Sequence, residues 1–430
     1  MALIVQKFGG TSVASVECIK TVASKISNTV QSGNKVVVVV SAMAGETDKL
    51  LRLSREITDN PHPRELDVLL ASGEQVSIAL LALELIKRNH KAKSYVGSQI
   101  GVLTNKVHNK ARIIDIDVTK INKDLADDNI VIVAGFQGVD VDGNITTLGR
   151  GGSDTTAVAL AVALKADECQ VFTDVDGVYT TDPSIVSDAR KLDRISFSEM
   201  LEMASLGAKI LQTRAVELAG KHRVPLRVVS TFGQGDGTLI SYDQNNEIES
   251  QAITGIAVNI SEVKVKITSA DDTSLIGLDK KNNTNVLTDL VDALTKEHID
   301  FDMFSYRKVG NDNLLDIEFT INSFDSGRAH EVISQYAETV CAKKVLFLDD
   351  FAKVSVVGLG IGSNSELLNK IFSVLKSNKI EADMLLSAET KVSFLIDEKY
   401  VKQVVCDLHD IFHLAKDDSF RYLSDTNSTG

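Results

Sequence analysis

LIVQKFGGTSVAS, residues 3–15, sets an apolar, β-branched run directly against a lysine, two glycines and a cluster of hydroxyls. The run Leu3-Ile4-Val5 is short and reads as a buried strand, and the residues from Val13 onward read as a helix start with Ser12 or Ser15 as N-cap. Glycines between a strand and a helix expose backbone N–H groups without Cβ obstruction, and a helix N-terminus adds partial positive charge, an arrangement that suits phosphate. Lys7 precedes the glycines, so this is not the Walker pattern, in which lysine follows them. An ordinary tight strand-to-helix turn with a solvated lysine fits these residues equally well.

The stretch is the first of a series. Up to about residue 240 short apolar strands alternate with helical stretches: strands at 3–8, 35–41, 129–135 and 169–173, helices through 27 and over 47–57, 66–88 and 155–165. Such βαβ alternation predicts a mainly parallel sheet sandwiched by helices, with the functional loops beyond the carboxyl ends of the strands.

The chain has 430 residues, enough for two or three domains. Its net charge of −13 argues against nucleic acid or an anionic membrane surface as a partner. Cys18, Cys169, Cys341 and Cys406 are scattered, with no C-x-x-C pair, which disfavours a disulfide framework or a structural zinc and fits a reducing compartment. Runs such as 36–40 and 157–164 are too short to span a bilayer, and no basic region precedes the first strand, so a soluble cytoplasmic protein is expected.

The glycine-rich and polar segment 233–251 reads as a domain boundary. Beyond it HIDFDMFS (298–305) and KIEADMLLS (379–387) share Ile-acid-x-Asp-Met at a spacing of 81 residues, each preceded by a strand and a helix and followed by a strand. Two tandem βαββ-type units of about 80 residues account for this. VSVVGLGIGS (354–363) imitates a dinucleotide fingerprint, but too little chain follows for two mononucleotide halves, and the counterpart at 263 lacks the glycines. It reads as a glycine-rich turn.

Four further clusters follow predicted structure in the first half. SAMAGETDKL (41–50) offers Ser41 and Thr47, ASGEQVS (71–77) offers Glu74, and LGRGGSDTTA (148–157) has Arg150 before a glycine turn and Ser153-Asp154 capping the next helix. FTDVDGVYTTDP (172–183) offers Asp174, Asp176, Tyr179 and Asp182. Singly each is an N-cap, a solvated turn or a surface charge. Together they supply two anion cradles, a lysine and an arginine able to grip a carboxylate bidentately. The eight histidines lie away from these loops, which disfavours Ser-His-Asp hydrolysis.

With these motifs in this order, and with SLGAKIL at 205–211, the chain resembles the aspartate kinase family, of the amino-acid kinase fold, over essentially its whole length. The resemblance implies a kinase unit at 1–242 and two regulatory ACT units of βαββαβ type at 252–345 and 346–424. It implies transfer of the γ-phosphate of ATP to the β-carboxylate of L-aspartate, with Mg2+ held mainly through phosphates and water and no protein metal ligand. Carried over by position, Lys7, Phe8, Gly9, Gly10 and Ser41 belong to the phosphates, and Thr173, Asp174, Tyr179, Lys209 and Ile210 to the nucleotide. Thr47, Glu74, Arg150, Gly151, Gly152, Ser153 and Asp154 belong to aspartate, and Lys7 and Asp154 to catalysis. By charge, Arg150 suits the α-carboxylate and Glu74 the ammonium.

The regulatory units imply an amino-acid effector, with Asp300-Phe301-Asp302 favouring the cationic side chain of L-lysine and threonine as the alternative; a homodimer or dimer of dimers would cover their open sheet edges. Two departures stand out: Ser184 where the family often has arginine, and Gln212-Thr213 where many members have His-Pro. A monofunctional kinase, without a fused homoserine dehydrogenase segment, is expected. The rivals are another kinase of this fold, acting on glutamate derivatives, uridylate or carbamate, and a non-catalytic amino-acid sensor.

Overall fold

A computed structural model describes residues 1–206, 211–242, 253–271, 285–309, 314–339 and 342–415. The chain divides into two compact units, one of Met1–Thr180 with Arg190–Ser250, the other of Thr181–Ala189 with Gln251–Gly430.

The first unit is built on an eight-stranded sheet in the order Arg194–Ser196, Thr238–Ser241, Leu226–Ser230, Glu168–Thr173, Leu3–Phe8, Lys35–Val40, Ile130–Ala134, Ala92–Tyr95. Its pairings are parallel except that between Leu226–Ser230 and Thr238–Ser241, as the βαβ alternation predicts. Val36 to Val40 are buried without alternation because helices cover both faces.

Register fixes where the loops emerge. Phe8 pairs with Val40 on one side and Phe172 on the other, and Val40 pairs with Ala134. Four neighbouring strands therefore end level, and Gly9, Ser41, Gly135 and Thr173 all leave from one carboxyl edge. The stacked rings of Phe8 and Phe172, 4.5 Å apart, seal the core beneath that edge.

The helices correct the expectations in three places. The helix after the glycine turn is Val16–Gln31, capped by Ser15, whose side chain accepts from Cys18 N; a 3-10 turn, Thr11–Val13, separates it from Gly9 and Gly10. Its N-terminal charge is therefore displaced from those glycines. The stretch 66–88 is two helices, Pro63–Leu70 and Ser72–Lys87, meeting at Ala71, whose carbonyl also accepts from the Gln137 side chain at 2.8 Å. Pro63–Lys87 taken together is long and apolar enough to cross a bilayer by composition, yet Ile78, Leu81, Ala82 and Leu85 lie in the core. Ser153 and Asp154 lie inside the helix Gly152–Leu164, not before it, and its N-cap is Gly151.

The second unit holds a six-stranded antiparallel sheet, Phe301–Val309, Leu314–Asn322, Gly255–Asp271, Lys344–Val357, Lys391–Asp397, Met384–Ala388. The two repeated motifs supply its two edge strands. Each repeat has its own core under its own helices. The two central strands are long enough to serve both. Ile256 joins the second core while Val263 and Val265 join the first, and Val345 and Phe347 pack on the first core while Val354 and Val356 join the second. The expected boundary at 345/346 thus falls inside a strand that both repeats share.

Two lysines cross between the repeats. Lys264 meets Glu318 at 2.9 Å and Asp383; Lys353 meets Glu262 at 2.9 Å and Asp302 at 2.7 Å. Asp302 and Asp383 are the same position of the repeated Ile-acid-x-Asp-Met motif, so each repeat's aspartate holds the other repeat's lysine. The side chains of Lys264 and Lys353 are only 4% and 3% exposed. Burial pulls their pKa values down, but the facing carboxylates more than offset it and both end raised.

The fingerprint-like stretch 354–363 leaves a strand antiparallel to both its neighbours, which no dinucleotide half would use. Its glycine pattern has a packing cause: a Cβ on Gly362 would fall 2.0 Å from the Ala388 carbonyl oxygen.

Candidate active site

At the carboxyl edge of the large sheet lies an open cavity of about 380 Å³, lined by the turn at Gly10, the loop Ser41–Asp48, Glu74, Phe136 and the loop Gly149–Asp154. Lys7, the penultimate residue of the first strand, sends its ammonium into it and stands 2.6 Å from Asp154 Oδ1. Strand and helix meet there because Gly152–Leu164 packs across the first strand and presents its first turn to the cavity. That N-terminus supplies the partial positive charge expected of the earlier helix.

Glu74 is the more deeply buried of two acids in the site, 2% exposed against 7% for Asp154. Its Oε1 accepts from Ala42 N at 3.1 Å, and Oε2 has no hydrogen-bond partner among the described residues. Burial pushes its pKa up to about 7 against the lowering effect of backbone hydrogen bonds. Arg150, by contrast, is exposed on the opposing loop. Thr47, on the helix Glu46–Ile57, and Ser41 complete a wall of hydroxyls.

Of the residues named from sequence, the cavity gathers Lys7, Gly10, Ser41, Thr47, Glu74, Arg150, Gly151, Gly152, Ser153 and Asp154. Gly9 lies beside it, its N–H directed to the Phe172 carbonyl at 3.4 Å, and the Phe8 side chain is buried in the core, leaving only main-chain atoms for a ligand. Thr173, Asp174 and Tyr179 are not among its lining residues. They follow the neighbouring strand, with Thr173 Oγ1 donating to Asp174 Oδ1 at 3.0 Å and Tyr179 OH donating to Asp176 at 2.8 Å. Lys209 and Ile210 lie outside the described residues.

Ala42, Met43, Ala44, Gly45, Asp48, Phe136 and Gly149 also line the cavity. Asp48 sat in a quoted motif and could have been named; the others contribute backbone and shape, for which sequence has no chemical signal. The departure at Gln212 lies here as well. A Cβ on Gly151 would fall 1.8 Å from Gln212 Cγ, so the glutamine stem lies flat on that glycine, whose φ of +71° also excludes side chains. Two residues on, Arg214 donates to the carbonyls of Leu148 and Ala111 at 3.3 and 3.1 Å. The other departure, Ser184, closes a local turn by donating its N–H and hydroxyl to Asp182.

The Amino acid kinase family model matches residues 2–230, and an ACT domain model matches 354–412. An aspartokinase from Pseudomonas aeruginosa is 50% identical over 415 residues, covering 96% of this chain and 98% of its own. The chain belongs to the aspartate kinase family. An aspartate kinase from Pseudomonas putida is 49% identical over 414 residues with the same coverage. The crystal structure of Escherichia coli aspartokinase III, in complex with aspartate and ADP, matches at a TM-score of 0.78 and 24% identity over 95% of this chain and 99% of that one, a likeness of fold.

As an aspartate kinase the chain transfers the γ-phosphoryl group of ATP to the β-carboxylate of L-aspartate, giving 4-phospho-L-aspartate, the first step toward lysine, threonine and methionine. A carboxylate nucleophile with a pKa near ~4 is ionised at neutral pH and needs no general base. The barrier lies in bringing two anions together in line, which positioned cations and backbone N–H groups lower. A cavity with a lysine at its floor and an arginine at its rim suits that task.

Proposed function

We propose that this cavity is where aspartate and the phosphates of ATP meet. An unpartnered Glu74 oxygen, Arg150 and the Lys7 ammonium line one cavity, and their joint presence carries the reading. Glu74 takes the ammonium of aspartate, Arg150 its α-carboxylate, and Thr47 and Ser153 hydrogen-bond around them. Lys7, with Gly9, Gly10 and Ser41, takes the phosphates, and Lys7 follows the group in transfer. Asp154 orients that ammonium. Thr173, Asp174 and Tyr179 take the nucleoside end from the neighbouring loop.

Magnesium enters with the nucleotide, held through phosphate oxygens and water, and supplies charge neutralisation. The buried acids of the wall fit this, since Asp154 is engaged by Lys7 and Glu74 by Ala42. No protein ligand is assigned. We infer a cytoplasmic location, which suits an ATP-dependent biosynthetic reaction.

We assign catalysis to 1–242 and regulation to units at 252–345 and 346–424 that exchange strand halves. L-Lysine is the proposed effector and threonine the alternative. Asp302 already holds Lys353, so the exposed Asp300 is the acid left to select a cationic side chain, while Phe301 packs against Phe304 and Phe319. The edge strands Phe301–Val309 and Met384–Ala388, the latter with Leu385 and Leu386 exposed, favour a homo-oligomer. Coupled measurement of ADP release over a panel of amino acids, then with lysine and threonine added, tests these assignments together. Aspartate alone should be phosphorylated and lysine should inhibit; inhibition by threonine alone overturns the choice of effector.

A further inference from the structure

Glu74 and Arg150 come from distant parts of the chain, and something must fix the distance between them. Glu74 follows the helix Pro63–Leu70, whose Asp67 is fully buried at 0% exposure. The Asp67 carboxylate accepts from the Asn109 N–H at 3.1 Å, lies 2.6 Å from His108 Nδ1, and accepts from the Thr147 hydroxyl. Thr147 ends the strand Ile145–Thr147, and the chain runs from it through Leu148 and Gly149 to Arg150. A second tie runs in parallel: Gln137 pairs with Thr147 through its backbone while its side chain holds the Ala71 carbonyl.

We propose that Asp67 is a positioning residue for aspartate recognition. Through Thr147 it holds the Arg150 loop at a set distance from Glu74, matched to the ammonium and α-carboxylate that aspartate carries on one carbon. A buried carboxylate leaves its donors unsatisfied if it is removed, and a charge-assisted hydrogen bond lost here is worth about tenfold in an equilibrium. The proposal rests on the assignment of Glu74 to the ammonium and Arg150 to the α-carboxylate of aspartate.

The test compares Thr147→Val, which removes the hydroxyl at constant shape, with Thr147→Ser, which keeps it, and with Asp67→Asn. Thr147→Val and Asp67→Asn should raise the aspartate KM about tenfold while the ATP KM and kcat stay near wild type, and Thr147→Ser should restore the wild-type aspartate KM. The double variant should be no worse than Asp67→Asn. If Asp67→Asn does not fold, the valine and serine pair decides alone. An unchanged aspartate KM in Thr147→Val, or aspartate and ATP KM rising together, overturns the positioning role. Arg150→Ala measured alongside separates the two readings. If it leaves the aspartate KM unchanged, the site assignment has failed; if it raises that KM while Thr147→Val does not, only the role of Asp67 has.

Discussion

The Lys7 ammonium and the Asp154 carboxylate stand 2.6 Å apart, one from the first strand and one from the first turn of the helix Gly152–Leu164, with side chains 12% and 9% exposed. A pair so little solvated is held by its mutual charge, and an incoming phosphate meets a lysine already aimed. Lys7→Ala should lower kcat by roughly two or more orders of magnitude with a smaller effect on the aspartate KM. Near-native turnover in that variant would remove Lys7 from the transfer step.

Glu74 gives a prediction in which stability and function move in opposite directions. Its carboxyl titrates near 7 in the folded chain against an ordinary 4.5. Between those values the folded state keeps a proton that the unfolded state has released, so this group's contribution to stability falls as pH rises through that window. Glu74→Gln should therefore be more stable than wild type at pH 8, by roughly 1–3 kcal/mol, with the difference shrinking toward pH 5. In the same variant the aspartate KM should rise, and in wild type that KM should rise as pH drops below about 7. Urea melts and initial rates at the two pH values check both; a variant less stable at pH 8 would contradict the burial argument.

The exchanged lysines of the regulatory sheet make a third case. Lys353→Met would leave Glu262, itself 4% exposed, and Asp302 facing each other without their cation. Breaking a buried pair from one side costs on the order of 3 kcal/mol, whereas replacing both partners costs less. Lys353→Met combined with Glu262→Gln should thus be less destabilised than Lys353→Met alone in denaturant melts. Strict additivity of the two substitutions would show that the pair is not coupled.

Much of this was legible in residues 3–15, because a β-branched run followed by glycines leaves few options and the register of parallel strands then gathers the loops. The break at Ala71 was not. Residues 66–88 keep helical periodicity throughout, and nothing in them marks Ala71 as the junction or Gln137, distant in sequence, as the side chain that meets its carbonyl. Likewise the sequence around 300–302 does not disclose the partner of Asp302, which is Lys353 across the sheet, while the nearby Arg307 pairs with Asp316. Ser153 and Asp154 looked like caps because helix starts favour them, but Gly151 takes the cap in a left-handed conformation.

Glu74 and Arg150 are proposed to hold the two main-chain ends of aspartate. Succinate lacks the ammonium and β-alanine lacks the α-carboxylate, so each substrate removes one partner. The decisive measurement is kcat/KM of wild type, Glu74→Gln and Arg150→Ala with aspartate, succinate and β-alanine. The account predicts that Glu74→Gln loses activity on aspartate and not on succinate, and that Arg150→Ala loses activity on aspartate and not on β-alanine. Equal losses on all three substrates in either variant would contradict it.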